Sequence, residues 1–108
     1  MADLKPYIDD IAKYTDTVNE ELVAVLYKSL ASILGDADAA NVACSDDDEL
    51  ATVRRNFIAE KLEITDNEKA NAAIAVVCEK MKDDRSKNRL TFYYLVTEEL
   101  RCIGKMTD

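Results

Sequence analysis

Only two glycines (Gly35, Gly104) and one proline (Pro6) occur in the 108 residues of this chain. Two-residue β-hairpins draw on glycine at left-handed turn positions, and phosphate-cradling loops draw on clustered glycines. Neither resource exists here, so the chain must be built from elements that need few special turns. Hydrophobic periodicity identifies those elements as helices, and five segments separated by short polar breaks cover nearly every residue.

The first helix is expected from about Asp3 to Tyr14, with Leu4, Tyr7, Ile8, Ile11 and Tyr14 on one face and Pro6 in the first turn, where a missing N–H does no harm. The second opens on the capping box Thr17-Val18-Asn19-Glu20 and carries Leu22, Val23, Val25, Leu26, Tyr27, Leu30, Ile33 and Leu34. These cover more than half its circumference, which places it centrally. Gly35 stands where a helix takes a left-handed stop. An acidic connection, Asp36 to Cys44, has room for a turn of helix around Ala39 to Ala43.

The third helix starts at Ser45 or Asp46, with Leu50, Val53, Phe57, Ile58 and Leu62 as its stripe. The fourth opens on Thr65-Asp66-Asn67-Glu68, and Ala70, Ile74, Val77, Cys78 and Met81 share one face. The fifth spans roughly Asn88 to Ile103. Its centre, Phe92-Tyr93-Tyr94-Leu95-Val96, is apolar or aromatic all round, so it needs cover on every side. Thr91 to Val96 is also β-prone, but a lone strand would have no partner. The expected fold is all-α, a compact bundle of about five helices with short loops, in a single domain over residues 1–108.

Composition narrows function mainly by exclusion. The chain has no histidine, which removes the usual general base and the commonest metal ligand together. Its net charge of −8 disfavours nucleic acid and anionic membrane surfaces. No apolar run approaches a membrane span, and Met1-Ala2-Asp3-Leu4-Lys5-Pro6 has neither the basic nor the apolar region of a secretory signal. Three cysteines (Cys44, Cys78, Cys102) without a Cys-x-x-Cys pair point to reduced thiols in the cytoplasm.

Several blocks are distinctive in order and spacing: Val42-Ala43-Cys44-Ser45-Asp46; Glu49-Leu50-x-x-Val53-Arg54-x-Asn56-Phe57; Lys61-Leu62; Ala73-Ile74-x-x-Val77-Cys78-x-Lys80-Met81; and Arg85-x-Lys87-x-Arg89-x-Thr91-Phe92-Tyr93-Tyr94-Leu95. Over roughly Asp36 to Leu100 the chain resembles a bacterial family of short all-helical proteins, domain of unknown function 2853. The resemblance implies an all-α cytoplasmic protein and brings no activity and no site residues. Relatives carry a glycine near Glu63; a glutamate stands there in this chain, so the end of the third helix is unmarked.

Candidate sites each have a structural alternative. Asp36, Asp38 and Asp47 match positions 1, 3 and 12 of a calcium loop, but Ala40 and Asn41 fall where a ligand oxygen and a glycine belong. Asp46 to Glu49 read better as helix-capping carboxylates. Arg85, Lys87 and Arg89 lie before and within the first turn of the fifth helix, where positive charge opposes the macrodipole. They either hold a phosphate or carboxylate, with Arg54 and Arg55 as further bases, or pair with the acids of Asp46 to Glu49; such pairing is the commoner outcome. Arg54 and Arg55 are also within a turn of Glu49. Tyr93 and Tyr94 read as core, with a small pocket as the alternative. Cys78 and Cys102 read as inert hydrophobes, and Cys44 is the better placed for reactivity.

No constellation of catalytic residues appears, and no cofactor is implied. The expectation is a non-enzymatic interaction module that binds an unidentified protein partner or itself as a homodimer, without nucleic acid or membrane. The alternative is a small anion-binding module at the basic start of the last helix.

Overall fold

Capping and burial together explain where each element starts and which face it hides. The structure, a computed structural model, describes residues 4–35, 40–84 and 87–107. Its elements are α1 (Lys5–Ile11), α2 (Glu20–Leu34), α3 (Asp47–Thr52), a π-helix (Val53–Ala59) continuing α3, α4 (Asn67–Lys80), α5 (Arg89–Glu99) and α6 (Ile103–Thr107). No strand occurs among the described residues.

Four helix starts are fixed by side chains that accept from free amides. Asn19 caps Leu22 N–H, Asp46 caps Asp48 and Glu49, Asp66 caps Glu68 and Lys69, and Asn88 caps Leu90 and Thr91. In α2 the cap is thus Asn19 rather than Thr17, because only from Asn19 does an oxygen reach the first turn. Pro6 lies in the first turn of α1, as its lost donor requires.

α5 is the axis of the molecule. Every residue from Leu90 to Thr97 is buried, because α1, α2 and α4 all pack against it. Each fully buried Leu, Val or Phe here contributes about 1.5–3 kcal/mol. The polar atoms on α5 are matched one by one. Thr97 Oγ1 donates to the Tyr93 carbonyl, Thr91 Oγ1 donates to Asp10 at 2.6 Å, and Tyr94 Oη accepts from Asn19 N–H at 2.7 Å. The last two bonds also tie α1 and the α1–α2 connection onto the axis.

Left-handed backbone appears at Glu63 (φ 59°) and Arg101 (φ 58°), not at Gly35, whose φ is −75°. The chain leaves α2 with the Gly35 N–H bonded to the Ile33 carbonyl, so no left-handed residue is needed there. Glu63 follows the end of the π-helix in left-handed backbone. Leu62 N–H reaches the Phe57 carbonyl and Ile64 N–H reaches that of Ile58, a helix end widened by the π winding. The expected fifth helix is divided: α5 stops at Glu99, Arg101 makes the left-handed turn, and α6 follows.

Ala39 of the expected turn lies outside the described residues, as do Asp36 and Asp38 of the calcium-loop reading. Ala40 to Ala43 are not helical. Asn41 forms an antiparallel bridge with Asn88, Val42 N–H donates to the Lys87 carbonyl, and Arg89 N–H donates to the Ala40 carbonyl. The loop thereby satisfies an amide at the start of α5 that has no partner within the helix.

The expectation of three reduced thiols fails. Cys44 and Cys78 form a disulfide, with Cα atoms 6.0 Å apart, that joins this loop to α4. Periodicity places Cys78 on the edge of an apolar face and Cys44 at a helix start, and folding brings the two together. Cys102 is free and buried.

Candidate functional site

The basic residues singled out in the sequence do not form one patch. Arg85 lies outside the described residues. Lys87 is half-buried and its Nζ donates to the Asp84 carbonyl at 2.8 Å. Arg54 turns to α4, donating to Asn71 Oδ1 at 3.0 Å, and exposed Arg55 bonds back to the Ala51 carbonyl. Neither meets Glu49, because Glu49 is engaged elsewhere.

Its partner is Arg89. The Arg89 side chain is buried at the start of α5, where its guanidinium donates to Glu49 Oε1, to Tyr93 Oη at 3.0 Å and to the Asn41 carbonyl at 3.3 Å. Of the two readings of these bases, pairing with the acidic segment therefore holds for Arg89, and within one chain. Burial works against the Arg89 charge, but Tyr93 and Glu49 outweigh it and hold its pKa above the ordinary value. The same guanidinium lies 5.6 Å from the Tyr93 ring centroid, and Tyr93 stacks on Phe57 with centroids 4.1 Å apart. A continuous series, Glu49–Arg89–Tyr93–Phe57, thus links α3, α5 and the π-helix.

Arg89, Tyr93 and Phe57 of this series line a cavity of about 350 Å³. Leu26, Leu30 and Ile33 of α2 and Met106 of α6 also line it. Asn56, Thr52, Ser29 and Lys61 bring polar atoms to it. Lys61 is exposed and has no ion-pair partner among the described residues. No carboxylate lines the cavity. Its volume falls in the range of about 300–1,000 Å³ usual for small-molecule sites, and an apolar lining with a few convergent polar groups is their usual character.

Two features of this cavity are absent from the sequence reading. One is the π-helix, a rare winding that recurs at functional sites and here presents Asn56 and Phe57. The stripe Leu50, Val53, Phe57 fits ordinary helical spacing, so nothing in it announces the change. The other is Lys61. The Arg89/Tyr93 and Phe57/Lys61 pairs, each four residues apart, are the signal that could have marked it. Tyr94 is core, as read, while Tyr93 serves both core and cavity wall.

Among the described residues no group of acids and cysteines could hold a metal ion, and no helix is long and apolar enough to cross a membrane. No curated protein matches the chain. A family model spans nearly all of it, covering α1 to the start of α6 and every wall of the cavity but Met106. Over residues 6–103 the chain matches, and belongs to, the family described as "Protein of unknown function (DUF2853)".

Proposed function

We propose that this protein is a non-enzymatic binding module of the cytoplasm whose ligand is a small molecule with an apolar body and one acidic group. The observation that carries this reading is the cavity between α2, the π-helix and α5: apolar walls, with an ammonium group at Lys61 that lacks an ion partner among the described residues. An apolar body would displace water from Leu26, Leu30, Phe57 and Met106. A carboxylate would gain a charge-assisted hydrogen bond from Lys61. Arg89 shapes the wall but is committed to Glu49 and Tyr93, so it positions rather than binds. The anion-binding alternative thereby moves from the helix start into the cavity, and its lead base changes from Arg89 to Lys61.

The case against catalysis rests on the same residues. The ionisable groups that line the cavity are Lys61, Arg89 and Tyr93; no carboxylate or thiol lines it to act as base or nucleophile, and Glu49, outside the lining, is taken up by Arg89. Exposed Ile33 at the cavity favours a second reading, in which a protein partner inserts an apolar side chain.

Thermal unfolding with decanoate and with its uncharged methyl ester separates these readings. Decanoate should raise Tm with concentration, following mass action, and the ester should act several-fold more weakly. Lys61→Gln should make the two alike. No response to either compound, or an equal response of wild type to both, overturns the proposed ligand class; the former leaves the partner reading as the one to pursue.

A further inference from the structure

We infer that the Cys44–Cys78 disulfide is a thiol–disulfide exchange site for small anionic thiols, and that its state governs the segment 40–52. This goes beyond the cavity reading and does not depend on the cavity's occupant.

Three observations support it. The first is access. Both cysteines are half-buried, not enclosed, and the disulfide lies between two surface depressions. An attacking thiolate needs such an approach along the S–S axis. Cys102, by contrast, is buried.

The second is charge. One depression, lined by Val42, Ala43 and Ser45, also carries Lys82 and Lys87. The Lys87 ammonium bonds a neutral carbonyl, so its charge is not offset by that contact. Lys82 is shared with Glu79 at 3.0 Å. In a chain of net charge −8, a pair of lysines beside a disulfide favours approach of an anionic thiol there. The same charge stabilises the thiolate that leaves.

The third is what the disulfide restrains. It is the covalent tie between the 40–46 loop and α4, closing 34 residues. On its other side this loop is held to α5 by hydrogen bonds, Val42 N–H to the Lys87 carbonyl, Arg89 N–H to the Ala40 carbonyl and the Arg89 guanidinium to the Asn41 carbonyl, with the Val42 side chain buried in the core. α3 follows directly, has no fully buried residue, and supplies Glu49 to Arg89. Few buried contacts and hydrogen-bonded edges are the features of a segment that opens locally.

The exchange balances as follows. A thiolate attacks one sulfur, forming a mixed disulfide and expelling the other as thiolate. A second small thiol resolves the mixed disulfide. The sum is one disulfide and two small thiols converted to two protein thiols and one small disulfide, with two electrons and two protons transferred.

The test uses the full chain in buffers of reduced and oxidised glutathione, quenched by alkylation and read by intact mass, with hydrogen exchange on each form. Native protein should lose the disulfide as the buffer becomes reducing, with Cys102 unmodified until denaturant is added. Amides in 40–52 should then exchange about tenfold faster or more, while those in 90–97 hold their protection. A Lys82→Glu/Lys87→Glu variant should slow reduction by glutathione several-fold but leave reduction by an uncharged dithiol unchanged. Resistance of the native disulfide to glutathione, unchanged exchange in 40–52, or acceleration spread evenly over the chain would each overturn the inference. So would equal slowing of both reductants in the lysine variant.

Discussion

The Arg89–Glu49 pair permits a worked prediction because its two ends differ in burial. The side chains are 9% and 22% exposed respectively. Removing one partner of a fully buried ion pair costs about 3–5 kcal/mol, because the remaining charge is stranded. Glu49→Ala strands the more buried charge, but Arg89 keeps Tyr93 Oη and the Asn41 carbonyl. The cost should therefore fall to about 2 kcal/mol. Arg89→Met keeps much of the side-chain packing but strands Glu49, which reaches water, and also leaves Tyr93 Oη and the Asn41 carbonyl without their donor; the cost should be about 2–3 kcal/mol. The double variant should cost no more than the worse single variant, giving a coupling of about 2 kcal/mol. Urea unfolding of the four oxidised proteins gives these values. Thermal scans should show about 4–8 °C lost per kcal/mol. A coupling within about 0.5 kcal/mol of zero would refute the assignment of Arg89 and Glu49 as mutually dependent partners.

Four further outcomes follow from the same structure. Glu63→Gly should stabilise by about 0.5–1 kcal/mol in urea unfolding, since glycine relieves the left-handed strain there at the cost of only an exposed contact with Lys105. Asp66→Ala removes the cap on Glu68 and Lys69 and should lose about 1 kcal/mol of stability by the same assay. Burial, with the hydrogen bond to Asp84, pushes the Tyr14 phenol from 10.0 up to about 12. Folding thus favours the neutral phenol, so its contribution is complete below pH 10 and lost as pH rises through 12; Tyr14→Phe should show a smaller alkaline loss of Tm over that window. Reducing the disulfide that closes 34 residues should cost about 3–4 kcal/mol, read as the shift in urea midpoint with and without dithiol.

Sequence periodicity located every long helix because each hides a face, and the all-round apolar centre of α5 required the three-sided cover that α1, α2 and α4 supply. Capping chemistry is local, an oxygen within reach of amides two and three residues on, and the sequence marks Asp46 for it; in α4 the box that opens on Thr65 points one residue early, and Asp66 is the cap. What remained hidden depends on distant partners. The pairing of Cys44 with Cys78 follows from how the loop crosses α4, which no spacing encodes. The bridge of Asn41 to Asn88 replaces an expected helical turn because α5 offers amides that the loop can satisfy. The cavity was half legible: Arg89 and Tyr93 were marked as unusual, whereas Lys61 and Met106 joined them only through the π-helix and the turn at Arg101.

If the cavity walled by Leu30, Phe57 and Tyr93 holds an amphipathic acid, bound ligand must touch those walls. Isotope-filtered NMR on labelled protein with unlabelled decanoate reads this directly, through contacts between ligand protons and protein methyl groups. Contacts should run from the chain end to Leu26, Leu30 and Met106, and from the carbons beside the carboxylate to Lys61. Contacts confined to exposed surface such as Val76, or none at saturating ligand, would contradict binding there.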